Sequence, residues 1–137
     1  WDAIFFKVLI TLVEPHLGRE SMTFLSEYPA SQAALARIRD DGRWPVAERF
    51  ELYAGGVELA NAFDELTDAG EQRRRHLADQ AERRRLGHPV PPLDEPFLAA
   101  LASGMPATVG IALGLERLMA LVLGAENIHQ VMPFPDS

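Results

Sequence analysis

Arg49-Phe-Glu-Leu-Tyr-Ala-Gly-Gly-Val-Glu-Leu-Ala-Asn-Ala-Phe-Asp-Glu-Leu-Thr-Asp68 reads as two strands and a turn. Across Val46–Tyr53, Phe50 and Leu52 alternate with Arg49 and Glu51. Across Val57–Phe63, Val57, Leu59 and Phe63 alternate with Glu58, Ala60 and Ala62. That period of two is the pattern of half-buried strands. Gly55-Gly56 permits positive φ at both central positions of the loop, so the strands can twist together without splaying. With a two-residue loop, Tyr53 faces Glu58, and Glu51 and Glu58 become diagonal neighbours on one face. Carboxylates aimed at the same space repel unless a cation lies between them, which points to a hard divalent metal, most simply magnesium. The plain alternative is the solvated outer face of a hairpin. Against it, Ala60 and Ala62 flank Glu58 and leave room for a ligand.

The chain of 137 residues suffices for one domain with a single core, and 47% hydrophobic content marks it as globular. Cysteine is absent. That excludes a disulfide framework, a thiolate zinc site and a thiol nucleophile, and it is compatible with a reducing cytoplasm, the expected location. A formal charge of −7 argues against a general nucleic-acid surface. No apolar run approaches the roughly 20 residues of a membrane helix. Trp1 is not expected to open a signal peptide, because no basic segment precedes the apolar residues and no small-residue cleavage site follows. A chain starting at Trp1 without an initiator Met is expected to be the remainder of a longer protein.

Upstream of the hairpin, Ile4, Phe5, Val8, Leu9, Leu12 and Val13 fall at helical spacing between Asp2 and Gly18, which predicts an amphipathic helix whose apolar face is core. Met22–Tyr28 reads as a short strand stopped by Pro29. Ser31 then caps a predicted helix through about Arg39, and Asp40-Asp41-Gly42 is a loop.

Downstream, Asp68-Ala-Gly-Glu71 is a capping-box-like start for a helix to about Leu86, closed by Gly87. Its arginines outnumber its apolar residues, chiefly Leu77, Ala78, Ala81 and Leu86, so the helix is expected to be mostly exposed, with Glu71 and Glu82 as ionic partners. A Pro-rich connector, His88–Leu93, leads to a helix started by Asp94, with Phe97, Leu98, Leu101 and Ala102 on its buried side and Gly104 at its end.

The last unit, Thr108-Val-Gly-Ile-Ala-Leu-Gly-Leu-Glu-Arg117, is a strand passing through Gly114 into a helix that Gly124 stops. Leu115, Leu118, Met119 and Val122 lie on one face of that helix. Its N-terminus offers unpaired N–H groups, and Arg117 lies in its first turn, so the pair forms an anion site suited to phosphate. The spacing is neither a Walker P-loop nor a dinucleotide fingerprint. His16, His76, His88 and His129 have no triad-like context.

The hairpin with Glu51, Glu58, Asn61 and Glu65, followed by Gly110-Ile-Ala-Leu-Gly-Leu-Glu-Arg117, resembles the catalytic domain of class II lysyl-tRNA synthetases. Within that superfamily it is most similar to the synthetase-derived branch of elongation factor P (R)-β-lysine ligases, which modify a protein in place of tRNA. Thr23-Phe-Leu-Ser-Glu-Tyr-Pro-Ala-Ser-Gln32, Glu58–Asp68 and Gly104-Met-Pro all fit that branch. Synthetases usually carry Glu-Ile-Ser-Pro where this chain has Ala30-Ser-Gln32, and Gly where it has Ala112. Ala62 and Glu116 are mild departures, standing where the family often has Gly and Asp.

The resemblance implies an α+β fold over residues 1–137, part of the antiparallel sheet of a class II synthetase catalytic domain with helices packed on one side. It makes Glu51 and Glu58 ligands for magnesium ions on ATP, and it places the backbone at Glu58-Leu59 and Gly114 beside the nucleotide. Arg117 becomes the catalytic contact to the ATP phosphates. Asn61 and Glu65 become contacts for lysine or (R)-β-lysine, Glu65 receiving an ammonium group, and Ala112 narrows the amino-acid pocket. Elongation factor P is the implied acceptor, and tRNA the alternative acceptor if the parent is a synthetase. A non-catalytic synthetase-like binding module is a further alternative, although Glu51, Glu58 and Arg117 are all retained.

The family's motif 2, the dimer-forming motif 1 and part of the lysine pocket would precede Trp1. The chain is therefore expected to be the C-terminal portion of a homodimeric enzyme and not to catalyse adenylation by itself. Parity raises one conflict. Strict alternation from Glu58 turns Asn61 and Glu65 to the other face, so either a bulge interrupts the second strand or the chain bends before Glu65.

Overall fold

A computed structural model describes residues 1–134. The predicted hairpin forms its centre: β3 (Val46–Ala54) and β4 (Val57–Asp64) are joined by Gly55 and Gly56, with φ of 61° and 80°. Both values lie in the left-handed region that glycine tolerates best, as the tight turn requires. The sheet continues on either side with β1 (Thr23–Pro29) and β5 (Val109–Leu113), in the order β1-β3-β4-β5, every pairing antiparallel. A short β2 (Ile38–Arg39) takes the β3 edge at Val46 and Ala47, beyond the part paired to β4.

The hairpin register contains one irregularity. Ala54 pairs with Val57 and Tyr53 with Glu58, but Leu52 pairs with Ala60, which leaves Leu59 without an opposite residue. An extra residue of this kind reverses the facing of everything beyond it. Its carbonyl is not orphaned: Leu59 O accepts a 2.8 Å hydrogen bond from Gly114 N, at the start of α4 (Leu115–Leu123). Sheet and following helix are thereby tied at the bulge.

The N-terminal helix α1 (Asp2–Val8) continues as a π turn over Leu9–Val13 and a 3-10 turn over Glu14–His16. The expectation that its apolar face is core holds for only one line of residues. Phe5, Leu9 and Val13, spaced four apart, pack with Leu25, Tyr28, Ala33 and Ala47. Ile4, Val8 and Leu12, the adjoining line, are exposed.

The helix expected over Ser31–Arg39 is absent. A 3-10 turn occupies Ala30–Gln32, a further turn follows at Ala34 and Leu35 with Ala34 at φ 49°, and the chain then bridges the sheet at Ala36 and enters β2. Its backbone bonds go to the sheet: Arg37 N donates to Asp64 O at 2.7 Å, Glu48 N donates to Arg37 O at 2.8 Å, and Ala36 bridges Glu65. Ala33 and Ala36 are buried, their small side chains permitting the close approach. Tertiary hydrogen bonding outweighs the helix propensity of the alanines.

Helix α2 (Ala69–Leu86) has the expected caps. The Asp68 carboxylate accepts from Glu71 N at 2.8 Å, and Gly87 closes the helix with φ 71°. Glu71 pairs with Arg74 and Arg75, and Glu82 with Arg85. The residues it buries are Gln72 and Gln80, while Leu77 and Leu86 are exposed, in line with the expectation of a mostly exposed helix. Gln80 Nε2 donates to Pro91 O at 2.7 Å, which ties the Pro-rich connector to the helix. Helix α3 (Glu95–Ala102), capped by Asp94, buries Leu98 and Leu101 and clasps α2 through Glu95 and Arg73. Phe97 and Ala102, expected on its buried side, are exposed. On α4 only Ala120 is buried, and Leu121 packs against the Gly55 turn.

Candidate active site

The bulge at Leu59 assembles the candidate site. Beyond it Asn61 lies opposite Glu51, and on the other side of β4 Asn61 pairs with Ala112 of β5. Phe63 pairs with both Arg49 and Gly110. Glu65, just past the strand, donates its backbone N–H to Thr108 O at 3.0 Å, and a methyl group placed on Gly110 would collide with its Oε1. Glu65 is therefore on the face of Phe63, Asn61 and Glu51. The parity conflict resolves through the bulge, and four of the sequence-derived residues, Glu51, Asn61, Glu65 and Ala112, share one face.

Glu51 sits in a partly buried network. Its Oε1 accepts from Arg49 Nη2 at 2.6 Å, while Oε2 accepts from the Tyr28 and Tyr53 hydroxyls at 2.5 and 2.8 Å. Burial, and then donation to the Glu51 carboxylate, push both phenol pKa values well above the ordinary value, because ionising either would place a second negative charge beside Glu51. Arg49 also donates to Gln32 O at 3.1 Å and Asn61 Oδ1 at 3.3 Å. Its guanidinium lies 4.3 Å from the Tyr28 ring centre and 5.2 Å from that of Phe63. Its Nε is buried without a partner.

Glu58 occupies a different environment. Arg117 Nη1 donates to Glu58 O at 2.8 Å and reaches Glu58 Oε2 at 3.4 Å, with the two side chains 51% and 36% exposed respectively. Gly114 lets Arg117 fold back close to the helix start: a Cβ there would stand 3.3 Å from Arg117 Cδ. The repulsion inferred from the sequence between two bare carboxylates is thus already answered by two guanidinium groups, one for each. A cleft of about 560 Å³ opens here, lined among others by Glu14, Arg19, Tyr53, Gly56, Glu58 and Arg117.

Magnesium takes one or two protein carboxylates when phosphates complete its octahedron. Glu58 fits that role, since its carboxylate is accessible and held only by the long contact to Arg117. Glu51 fits through Oε1, which carries a single hydrogen bond. Among the described residues no cluster of three or more acidic, His or Cys side chains forms a metal cage by itself. On the opposite face, Ser26, Phe50, Ala62 and Ile111 line a more apolar cleft of about 430 Å³, whose charged lining residues Glu27 and Glu48 are paired with Arg39.

Sequence reading passed over Arg49, Tyr53, Tyr28 and Arg19. Arg49 and Tyr53 share the strand parity of Glu51 and were recoverable from it. Tyr28 and Arg19 reach the site only through tertiary contacts.

Comparison with known proteins gives a consistent picture. The family model for class II tRNA synthetases (D, K and N) matches residues 8–137. The elongation factor P (R)-β-lysine ligase of Proteus mirabilis is 51% identical over 134 residues, covering 98% of this chain and 41% of that protein. The ligase of the same name from Photorhabdus laumondii is 54% identical over 123 residues, covering 89% of this chain and 37% of that protein. The chain thus spans about two fifths of the length of these curated relatives.

Proposed function

The chain belongs to the class II tRNA synthetase family (D, K and N), and from that premise we propose that it is part of an ATP-dependent ligase that activates (R)-β-lysine, or lysine, and passes it to elongation factor P. The observation that carries this reading is the Leu59 bulge, which gathers Asn61, Ala112 and Glu65 on the face of Glu51, with Glu58 and Arg117 at the adjoining cleft.

In the first step a carboxylate oxygen of the amino acid attacks the α-phosphorus of ATP, and the bond to the β-phosphate breaks to release pyrophosphate. In the second, a lysine amine of elongation factor P attacks the acyl carbon. AMP leaves, the amine loses a proton, and an amide forms. The reactants of the first step are anions, so the protein's task is to position and neutralise. Arg117 supplies a guanidinium for the phosphates, with Gly114 and the Leu59 backbone beside the nucleotide. Glu58, and Glu51 through Oε1, would hold magnesium, which offsets the charge of the triphosphate. Asn61 and Glu65 bind the polar groups of the substrate, Glu65 receiving an ammonium, while Ala112 limits the pocket floor. Arg49 keeps Glu51 and Asn61 in register. The reading extends to a homodimer and to a cytoplasmic location; no helix among the described residues is long and apolar enough to cross a membrane.

The test is ATP–pyrophosphate exchange by the full-length protein with (R)-β-lysine and with α-lysine, followed by transfer to elongation factor P or to tRNA. Exchange favouring (R)-β-lysine with the factor as acceptor supports the reading. Transfer to tRNA alone makes the parent a synthetase, and absence of exchange makes it a binding module.

A further inference from the structure

Gly18 anchors the loop after the N-terminal helix to the tip of the central hairpin. Its φ is 66°, and a Cβ on it would stand 2.6 Å from the backbone carbon of Tyr53, so only glycine fits this approach. Gly18 O accepts from Gly55 N at 2.6 Å, and Gly18 N donates to Thr23 Oγ1 at 3.2 Å. The next residue, Arg19, is consequently laid across the turn: a Cβ on Gly56 would lie 2.8 Å from the Arg19 guanidinium carbon. Arg19 Nε donates to Pro15 O at 3.0 Å, which orients the guanidinium plane. Its Nη groups make no hydrogen bond or ion pair among the described residues, and they border the same cleft as Arg117 and Glu58.

We propose that Arg19 is a second polyphosphate contact, its Nη donors binding the β- and γ-phosphates of the nucleoside triphosphate and the pyrophosphate released from them. The inference rests on the ATP-dependent reading above and deepens it. Two guanidinium groups border the cleft, and Glu14 and Glu58 offset their charge when no ligand is bound. A polyanion is therefore attracted chiefly together with the divalent cation that Glu58 would hold. A planar fork with free donors suits phosphate oxygens. Gly56 keeps the turn beneath it low enough for the side chain to lie flat.

Calorimetric binding to the full-length protein tests this, with Mg-ATP and with AMP as probes, on wild type, Arg19→Gln and Arg19→Glu. Expected are a loss of about tenfold in Mg-ATP affinity for Arg19→Gln, a larger loss for Arg19→Glu, and unchanged AMP affinity in both. Mg-ATP binding by Arg19→Gln equal to that of wild type overturns the inference and leaves the functional reading standing. So does an equal loss for AMP, which marks a merely structural role. Wild-type protein that binds no Mg-ATP removes the functional reading itself, and this inference with it. If Arg19→Gln does not fold, Arg19→Met carries the same comparison: weaker Mg-ATP binding with AMP unaffected supports the inference, and wild-type Mg-ATP binding overturns it.

Discussion

Asn61 lies directly opposite Glu51 across the central hairpin because Leu59 has no partner on β3. Arg49 reaches both, donating to Glu51 Oε1 at 2.6 Å and Asn61 Oδ1 at 3.3 Å. One guanidinium thereby couples a proposed magnesium-binding carboxylate to a proposed substrate-binding amide. A single unpaired residue in a strand decides whether those two groups can cooperate.

Arg49 and Glu51 are each only 12% exposed, so removing one partner strands a charge in a poorly hydrated place. Arg49→Met should destabilise the full-length protein by about 3 kcal/mol in urea denaturation. Adding Glu51→Gln to that variant should recover part of the loss, because the stranded carboxylate is gone. If Glu51→Gln changes stability by the same amount in the Arg49→Met background as in the wild type, the ion pair contributes no coupling.

The Tyr28 and Tyr53 phenols have folded pKa values raised above the ordinary value of about 10. Below that pH both states hold their phenol protons and the stabilising bonds to Glu51 are intact. As pH rises above it, the unfolded chain releases protons that the folded one retains, so stability falls. Urea denaturation from pH 8 upward should show this decline, and Tyr28→Phe and Tyr53→Phe should each flatten it. A decline of the same slope in both variants would rule out these phenols as its source.

Gly110 leaves space that Glu65 Oε1 fills. Gly110→Ala should push the Glu65 carboxylate aside while leaving the fold intact, since Gly110 does not need the left-handed conformation. If Glu65 receives the substrate ammonium, the amino-acid KM should rise about tenfold with little change in the KM for ATP. An unchanged amino-acid KM would remove Glu65 from the substrate site.

Ala112 pairs with Asn61 across β4 and β5. Ala112→Gly should shift the ratio of α-lysine to (R)-β-lysine activation by about tenfold, the scale of one methyl group in a pocket floor. Steady-state kcat/KM for the two amino acids gives the ratio. If it does not move, Ala112 is only strand packing.

Elements whose signals are local are legible in the residues alone. The alternation around Gly55-Gly56 made the hairpin, and Asp68 with Gly87, and Asp94, marked helix ends, because turn conformation and capping depend on neighbours a few residues away. Glu51, Glu58 and Arg117 carry a signal in residue type and spacing along the chain, whereas Asn61 and Glu65 entered only through the family resemblance. Tertiary structure alone decided which of them meet. Leu59 bulges where its carbonyl accepts from Gly114 N, an interaction with a strand-to-helix junction far along the chain. No helix follows Ser31 because Ala34 turns the chain at φ 49° and the sheet then takes the backbone of Ala36 and Arg37. Tyr28 joins Glu51, and Arg19 overlies Gly56, only after β1 and the Gly18 loop have docked on β3. In each case the deciding free energy lies in contacts between segments that are remote in sequence.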